Sequence, residues 1–294
     1  MQEKIQDFLS FLETEKGYAD NTIAAYRNDL TQFLRYVEEQ LGGDPEQSTW
    51  VEAGSKDTIV GYILNLKERE YTSSTVARKV AAIKSFFHYL VAEGVLKSDP
   101  TATLDSPKVK KRLPKAISRN DIERLLAAPA QGVSAKAQRD HALLELLYAS
   151  GMRVTELVSL DMDDVNAASG SVRVRGKKTS NKERVIPIGD RALDALQSYL
   201  DRGRLQLMRA PEERALFLNH RGQRLTRQGL WLIIKHYVDE VGIAEDVTPH
   251  TLRHSFAAHK LSQGKSLQDI QKLLGHANIS TTQVYQHVGQ ETDA

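Results

Sequence analysis

Along the first third of the chain, apolar residues return at helical steps. Ile23, Tyr26, Leu30, Phe33, Leu34 and Val37 recur every three or four positions, which predicts a helix over 20–40. Asp20 or Asn21 caps its start, and Gly42-Gly43 ends it. Helices are also expected near 3–16 and 55–69. In 73–93, Val76, Val80, Ile83, Phe87 and Leu90 form an apolar stripe behind a Ser-Ser-Thr start, with Arg78, Lys79 and Lys84 off that stripe. Pro100, Pro107 and Pro114 break regular structure over 98–118, and the basic run Lys108, Lys110, Lys111, Arg112 lies among them. This stretch is the natural boundary between two domains.

Beyond it, Ser118-Arg119-Asn120-Asp121 has the form of a helix cap and leads into Leu125-Leu126. An apolar helix over 137–149 is stopped by Gly151. Ser171-Val172-Arg173-Val174-Arg175 alternates, as does Arg184-Val185-Ile186-Pro187-Ile188, which predicts a β-hairpin with a long basic tip. Helices are expected at 190–203, 226–241, 250–263, 267–274 and about 280–287. The fold class is therefore mainly α with a small antiparallel β-sheet.

Composition narrows the chemistry. The 294 residues suit two domains, and 40% hydrophobic with 27% charged residues is ordinary for a globular chain. No cysteine is present, which removes disulfides, thiolate metal sites and cysteine nucleophiles. No stretch reads as a membrane span or signal peptide, so a cytoplasmic protein is expected. The net charge of +2 conceals an asymmetry: residues 1–107 carry 11 Lys and Arg against 17 Asp and Glu, residues 108–294 carry 29 against 21. A basic C-terminal part is compatible with nucleic acid.

Four local patterns carry candidate chemistry. In Gly151-Met152-Arg153-Val154-Thr155-Glu156-Leu157, a carboxylate three residues after an arginine can orient it on one helical face. The hairpin tip carries Lys177. In His250-Thr251-Leu252-Arg253, His and Arg share a helix face at i and i+3. Leu274-Gly275-His276 precedes Tyr285. Each pattern alone has a plain structural explanation: a surface ion pair, a solvated lysine, a helix start.

Together, in this order, they resemble the tyrosine recombinases, or lambda-integrase family. The segment runs Thr-Pro-His-Thr-Leu-Arg-His-Ser-Phe-Ala-Ala-His from Thr248 and ends Thr-Thr-Gln-Val-Tyr-Gln-His-Val at Val288. The Gly-Met-Arg-Val-Thr-Glu-Leu block and the Asn-Lys-Glu-Arg hairpin are most similar to the bacterial Xer branch. The resemblance covers nearly the whole chain. It implies a two-domain DNA clamp, with an N-terminal helical core-DNA-binding domain over 1–107, a basic linker at 108–112 and a catalytic domain over 113–294. It implies strand transfer through a 3′-phosphotyrosyl ester with no metal and no cofactor. Tyr285 matches the nucleophile, Arg153 and Arg253 the phosphate clamps, His250 a phosphate donor and acid/base partner, and His276 a second donor. Lys177 matches the general acid on the leaving 5′-oxygen, and Glu156 holds Arg153 in place. A tyrosine with a pKa of about 10 is only about one part in a thousand phenolate at pH 7, so its deprotonation needs help within the site.

The branch further implies a tetramer on two double-stranded DNA sites and a Holliday-junction intermediate. Its implied task is chromosome or plasmid dimer resolution in the service of chromosome partition and cell division, often with a second recombinase and a cell-division DNA translocase. Two features depart from the branch. The tip Gly176-Lys177-Lys178-Thr179-Ser180-Asn181-Lys182 is about two residues longer than usual, so Lys178 competes with Lys177 for the lysine role; only nine residues follow Tyr285, which bears on subunit coupling. Arg78 and Lys79, off the apolar stripe, are the candidate N-terminal DNA contacts.

Other readings remain on the sequence alone. A mobile-element integrase or a type IB topoisomerase-like enzyme shares the chemistry. A non-catalytic helix-turn-helix protein would use 267–286 without needing Arg153, Lys177, His250 and Arg253. A zinc hydrolase would use His250 and His254 at i and i+4, yet Thr251 stands where a zinc protease has its glutamate.

Overall fold

Side-chain caps start the N-terminal helices where the apolar periodicity begins. Ser55 accepts the N–H of Thr58 and Thr72 that of Thr75, opening α3 (Lys56–Glu68) and α4 (Ser73–Ala92). Before them come α1 (Gln2–Thr14) and α2 (Asp20–Leu41). The computed structural model describes residues 1–41, 54–105, 116–176 and 183–286. The chain divides into two compact units, Met1–Lys111 and Arg112–Ala294. The proposed basic linker at 108–112 lies outside the described residues, as do Gly42-Gly43.

The first unit closes on a core of Phe8, Leu30, Phe33, Ile59, Ile83, Phe86 and Phe87, all buried. Phe8 meets Phe86 edge-to-face at 5.4 Å, and Phe33 meets Tyr62 at 5.2 Å. Lys79 is corrected here as a candidate DNA contact. It lies off the apolar stripe but is 1% exposed, and its Nζ donates to Asp29 Oδ1 at 3.0 Å and Gln32 Oε1 at 2.8 Å. Apolar periodicity cannot see a buried ion pair: Asp29, one position before Leu30 on α2, turns the lysine inward. Arg78 pairs with the same carboxylate yet keeps half its side chain in solvent.

In the second unit, α5 (Arg119–Ala127) leads through a short 3₁₀ turn to α6 (Ala135–Ser150). Helix α6 is buried nearly all round, with Leu143, Leu144, Leu146 and Leu147 fully enclosed, so it is the central rod of the unit. After it come α7 (Val154–Val158), too short to show in the periodicity, and a three-stranded antiparallel sheet. Its strands are β1 (Val165–Asn166), β2 (Ser171–Val174) and β3 (Arg184–Pro187). The hairpin expected from the sequence is β2–β3, in the register Val172↔Ile186 and Val174↔Arg184. Strand β1 was not expected; two residues carry no period. Lys177 and Lys178 belong to a tip outside the described residues.

Helix α8 (Gly189–Ser198) runs on through a π-turn at Tyr199–Gly203 to Arg204–Leu207. Then come α9 (Arg227–Val241), α10 (Pro249–Ser262), α11 (Leu267–Leu274) and α12 (Ser280–Gln283). Helix α12 is one turn, shorter than the 280–287 expected. No described helix is long and apolar enough to cross a membrane.

Removing the carboxylate of Asp29 would strand a buried ammonium, which costs about 3–5 kcal/mol. Asp29→Asn is therefore expected to lower the urea midpoint of the first unit sharply. Asp29→Leu combined with Lys79→Met should recover most of that loss.

Candidate DNA strand-transfer site

The site is built around the C-terminal end of α11. The last four carbonyls of a helix have no partner within it. Here backbone serves two: His276 N–H donates to Gln271 O at 3.1 Å and Gly275 N–H to Lys272 O at 3.1 Å. That is the pattern of a left-handed cap, with Gly275 at φ +64°. Guanidinium groups serve the other two. Arg184 Nε donates to Leu273 O at 2.9 Å, and Arg253 Nη2 donates to Leu274 O at 2.7 Å. Arg153 reaches Leu274 O at 3.5 Å and Gly275 O at 3.3 Å. Positive charge at a helix C-terminus is favoured by the helix dipole.

Two glycines make this approach possible. A Cβ on Gly275 would lie 2.9 Å from Arg184 Nη1, so the residue is needed for a protein contact as well as for its backbone angle. Gly151 ends α6 at φ +57°, and a Cβ there would lie 2.4 Å from the Phe256 ring. The Gly151 carbonyl accepts from Arg253 Nη1 at 2.6 Å. The end of α6 thus fixes the arginine of α10.

Arg153 does not share a helical face with Glu156, as its spacing suggested. It is the N-cap of α7, its backbone N–H donating to Glu156 Oε2 at 2.8 Å and its side chain to Oε1 at 3.1 Å. Glu156 also accepts both terminal nitrogens of Arg184, at 3.0 and 2.7 Å. Burial pushes the Glu156 carboxyl up, but the bonds from Arg184 and the Arg153 backbone, with both guanidinium charges, hold it below the ordinary carboxylate range. Arg184 was not singled out from the sequence; its only signal was its place in the Asn-Lys-Glu-Arg run beside the hairpin tip.

Arg253 is 5% exposed and Arg153 is half exposed, so one guanidinium is held inside and the other faces out. Burial, then the charge of Arg153, lowers the Arg253 pKa to about 10, still cationic at neutral pH. Its Nη2 lies 3.0 Å from His276 Nε2, and His276 Nδ1 lies 2.8 Å from Thr282 Oγ1. A guanidinium only donates, so Nε2 accepts and Nδ1 carries the proton toward Thr282. Burial, then Arg253 and Arg153, lowers the His276 pKa to about 4, which agrees with that neutral form.

Tyr285 packs with Phe256, Ile270 and Leu274 and is 2% exposed. Burial raises its pKa, opposed by Arg253 and Arg153. Its Oη lies 2.8 Å from His254 Nδ1. His254 entered the sequence reading only as half of a zinc spacing. Burial, then His250 and Arg253, takes its pKa to about 4. His250 is exposed at the start of α10, its ring 6.4 Å from that of His254. Among the described residues no group of three or more His, Asp or Glu is placed to hold a metal ion. The structure thus gathers Arg153, Glu156, Arg253, His276 and Tyr285, with His250 at the rim, and adds Arg184, His254 and Thr282. Lys177 and Lys178 are outside the described residues.

Residues 115–292 match the family described as the phage integrase family, and residues 5–94 match its N-terminal SAM-like domain. Tyrosine recombinase XerC of Herpetosiphon aurantiacus is 50% identical over 291 residues, 99% of this chain and 92% of the relative. Tyrosine recombinase XerD of Halalkalibacterium halodurans is 44% identical over 284 residues, 97% and 92% of the two chains. The crystal structure of XerA recombinase has a TM-score of 0.54 at 28% identity, covering 97% of this chain and 93% of the other. That of XerH bound to its palindromic difH substrate, a post-cleavage complex, has a TM-score of 0.74 at 21% identity over 99% and 87%.

The site makes stability depend on pH in two windows. His254 and His276 titrate near 4 when folded and near 6.5 otherwise, so the unfolded chain binds more protons between those values. Their contribution is complete above about 6.5 and lost as pH falls toward 4. The contribution of Glu156, whose folded pKa is depressed, is present above 4.5 and lost as pH falls through its lower folded value. Urea midpoints measured from pH 7.5 downward should decline in the first window less steeply for the His254→Asn, His276→Asn double variant. Glu156→Gln should flatten only the second.

Proposed function

The chain belongs to the phage integrase family and is a tyrosine recombinase of Xer type, and from that premise we propose how its residues divide the reaction. Tyr285 Oη attacks the phosphorus of a DNA phosphodiester. The Oη–P bond forms, the P–O5′ bond breaks, and a 3′-phosphotyrosyl ester joins protein to DNA while a 5′-hydroxyl leaves. The observation that carries this reading is the convergence of Arg153, Arg253 and His276 beside a buried tyrosine at the end of α11.

Arg153 and Arg253 hold the non-bridging oxygens. Gly151 O, Leu274 O and His276 engage three of the five N–H donors of Arg253, and among the described residues the other two remain for phosphate. Charge builds on those oxygens in the pentacoordinate transition state, and donors already fixed by protein carbonyls need not reorganise to meet it. His276, protonated at one nitrogen and accepting at the other, is aligned by Arg253 and Thr282. His250, exposed at the rim, is a further donor to the phosphate. Glu156 orients Arg153. Lys177, or Lys178 beside it, protonates the leaving 5′-oxygen; with an ordinary pKa of about 10.4 it begins as an acid.

The ester conserves the phosphodiester bond energy, so another 5′-hydroxyl can reverse the step without ATP. Exchange between two duplexes requires recombinase subunits on two sites, a tetramer passing through a Holliday junction. Dimer resolution of chromosomes or plasmids, with a second Xer-type recombinase and a cell-division DNA translocase, is the task we assign. Arg78 is the remaining candidate contact in the first unit.

A nicked suicide substrate carrying an Xer-type site traps the ester. With EDTA present, the protein is expected to give a DNA adduct on a denaturing gel, and Tyr285→Phe none. An adduct that survives in Tyr285→Phe, or that EDTA abolishes, would remove this reading.

A further inference from the structure

The tyrosine hydroxyl has to lose its proton, and the structure shows where that proton can go. Among the described residues, Tyr285 Oη makes one hydrogen bond, 2.8 Å to His254 Nδ1. His250, which the family resemblance offered as the acid/base partner, lies one helical turn earlier on α10 and is exposed. The Tyr285 ring is enclosed by Phe256, Ile270 and Leu274, so the phenol is shut away from bulk water. The His254 ring lies 5.3 Å from the Tyr285 ring, centroid to centroid. Both neighbours of His254 on α10, Arg253 and Ser255, are buried and held by bonds to Gly151 O and Thr251 O, so the histidine is fixed in place by the helix that carries the phosphate-binding arginine.

We infer that His254 is a further catalytic residue of the strand-transfer reaction: its Nδ1 accepts the phenolic proton as Tyr285 Oη bonds to phosphorus and returns it when a DNA 5′-hydroxyl displaces the tyrosine. The inference rests on Tyr285 being the nucleophile. The balance closes within the site. The Oη–H bond breaks, Nδ1–H and Oη–P form, P–O5′ breaks, and the 5′-oxygen takes its proton from the lysine acid on the leaving side. In the reverse step the returning 5′-hydroxyl gives up its proton to that lysine, and His254 reprotonates the departing phenolate.

Charge explains the timing. Without DNA, burial, then His250 and Arg253 on α10, keep the His254 imidazole neutral with a pKa of about 4, and His276 after α11 and the neutral Tyr285 also face it. A neutral imidazole has a lone pair to offer but is too weak a base to ionise a buried phenol unaided. A scissile phosphodiester brings negative charge to Arg253 and offsets the positive field on His254. Its proton affinity rises only when substrate is present.

The test compares single-turnover adduct formation by wild type, His254→Ala and His254→Asn on the suicide substrate. Each is made with tyrosine and with a difluorinated, more acidic tyrosine at 285. His254→Ala is expected to react about a hundredfold more slowly while binding DNA within a few-fold of wild type, and the acidic phenol should recover most of that loss. His254→Asn keeps an acceptor for the hydroxyl but cannot carry its proton, so it should be slow and rescued in the same way; it also serves should the alanine variant fold poorly. Near-wild-type cleavage by either variant, or a defect that the acidic phenol leaves untouched, would overturn the inference. Absence of a wild-type adduct, or an adduct in Tyr285→Phe, would instead fail the nucleophile assignment itself.

Discussion

Carbonyl oxygens at the end of a helix are short of donors, and at the end of α11 guanidinium groups supply what the backbone does not. Much of the site follows from this. Arg184 brings β3, Arg253 brings α10 and Arg153 brings the start of α7 to three consecutive carbonyls. Gly275 must be left-handed to present them, and Gly151 must lack a side chain so that Phe256 can close against the end of α6. Arg153 and Arg253, which we propose hold the phosphate, are first part of the protein's own hydrogen bonding. Their positions are thereby set before any phosphate arrives.

The same gathering sets the electrostatics. Two guanidinium groups, of Arg153 and Arg184, pair with one carboxylate, Glu156, while a third, Arg253, bonds only to carbonyls and His276, and the two half-buried histidines beside them are neutral. Among the described residues the site therefore holds more positive than negative charge in a partly buried place, an arrangement that suits the phosphodiester we propose it binds. Binding and preorganisation draw on one source. The tyrosine is treated in the opposite way: enclosed in an apolar cluster, its phenol is pushed by burial toward the neutral form.

Much of this was legible in the sequence. Long amphipathic helices, the hairpin and the ordered Arg, His-x-x-Arg, Gly-His and Tyr residues all carry local signals. What the sequence withheld was contact between distant residues. Lys79 read as a surface cation because Asp29, fifty positions away, is invisible to periodicity. Arg184 read as a strand residue because its partners Glu156 and Leu273 lie on other elements. His254 drew notice only through a spacing that fits metals, since its closeness to Tyr285 depends on how α11 and α12 fold back on α10. Helix α7 and strand β1 are too short for any period to register.

The register Val174↔Arg184 has a consequence for how the hairpin can vary. Arg184 is fastened at both ends of its guanidinium, to Glu156 and to the end of α11, so the strand cannot slide without dismantling the site. Arg175, just past the end of β2, is held as well, by Asp161 and Asp164. The hairpin thus works as a fixed hem: its two strands cannot shift against one another without breaking the bonds that join Glu156 to the end of α11.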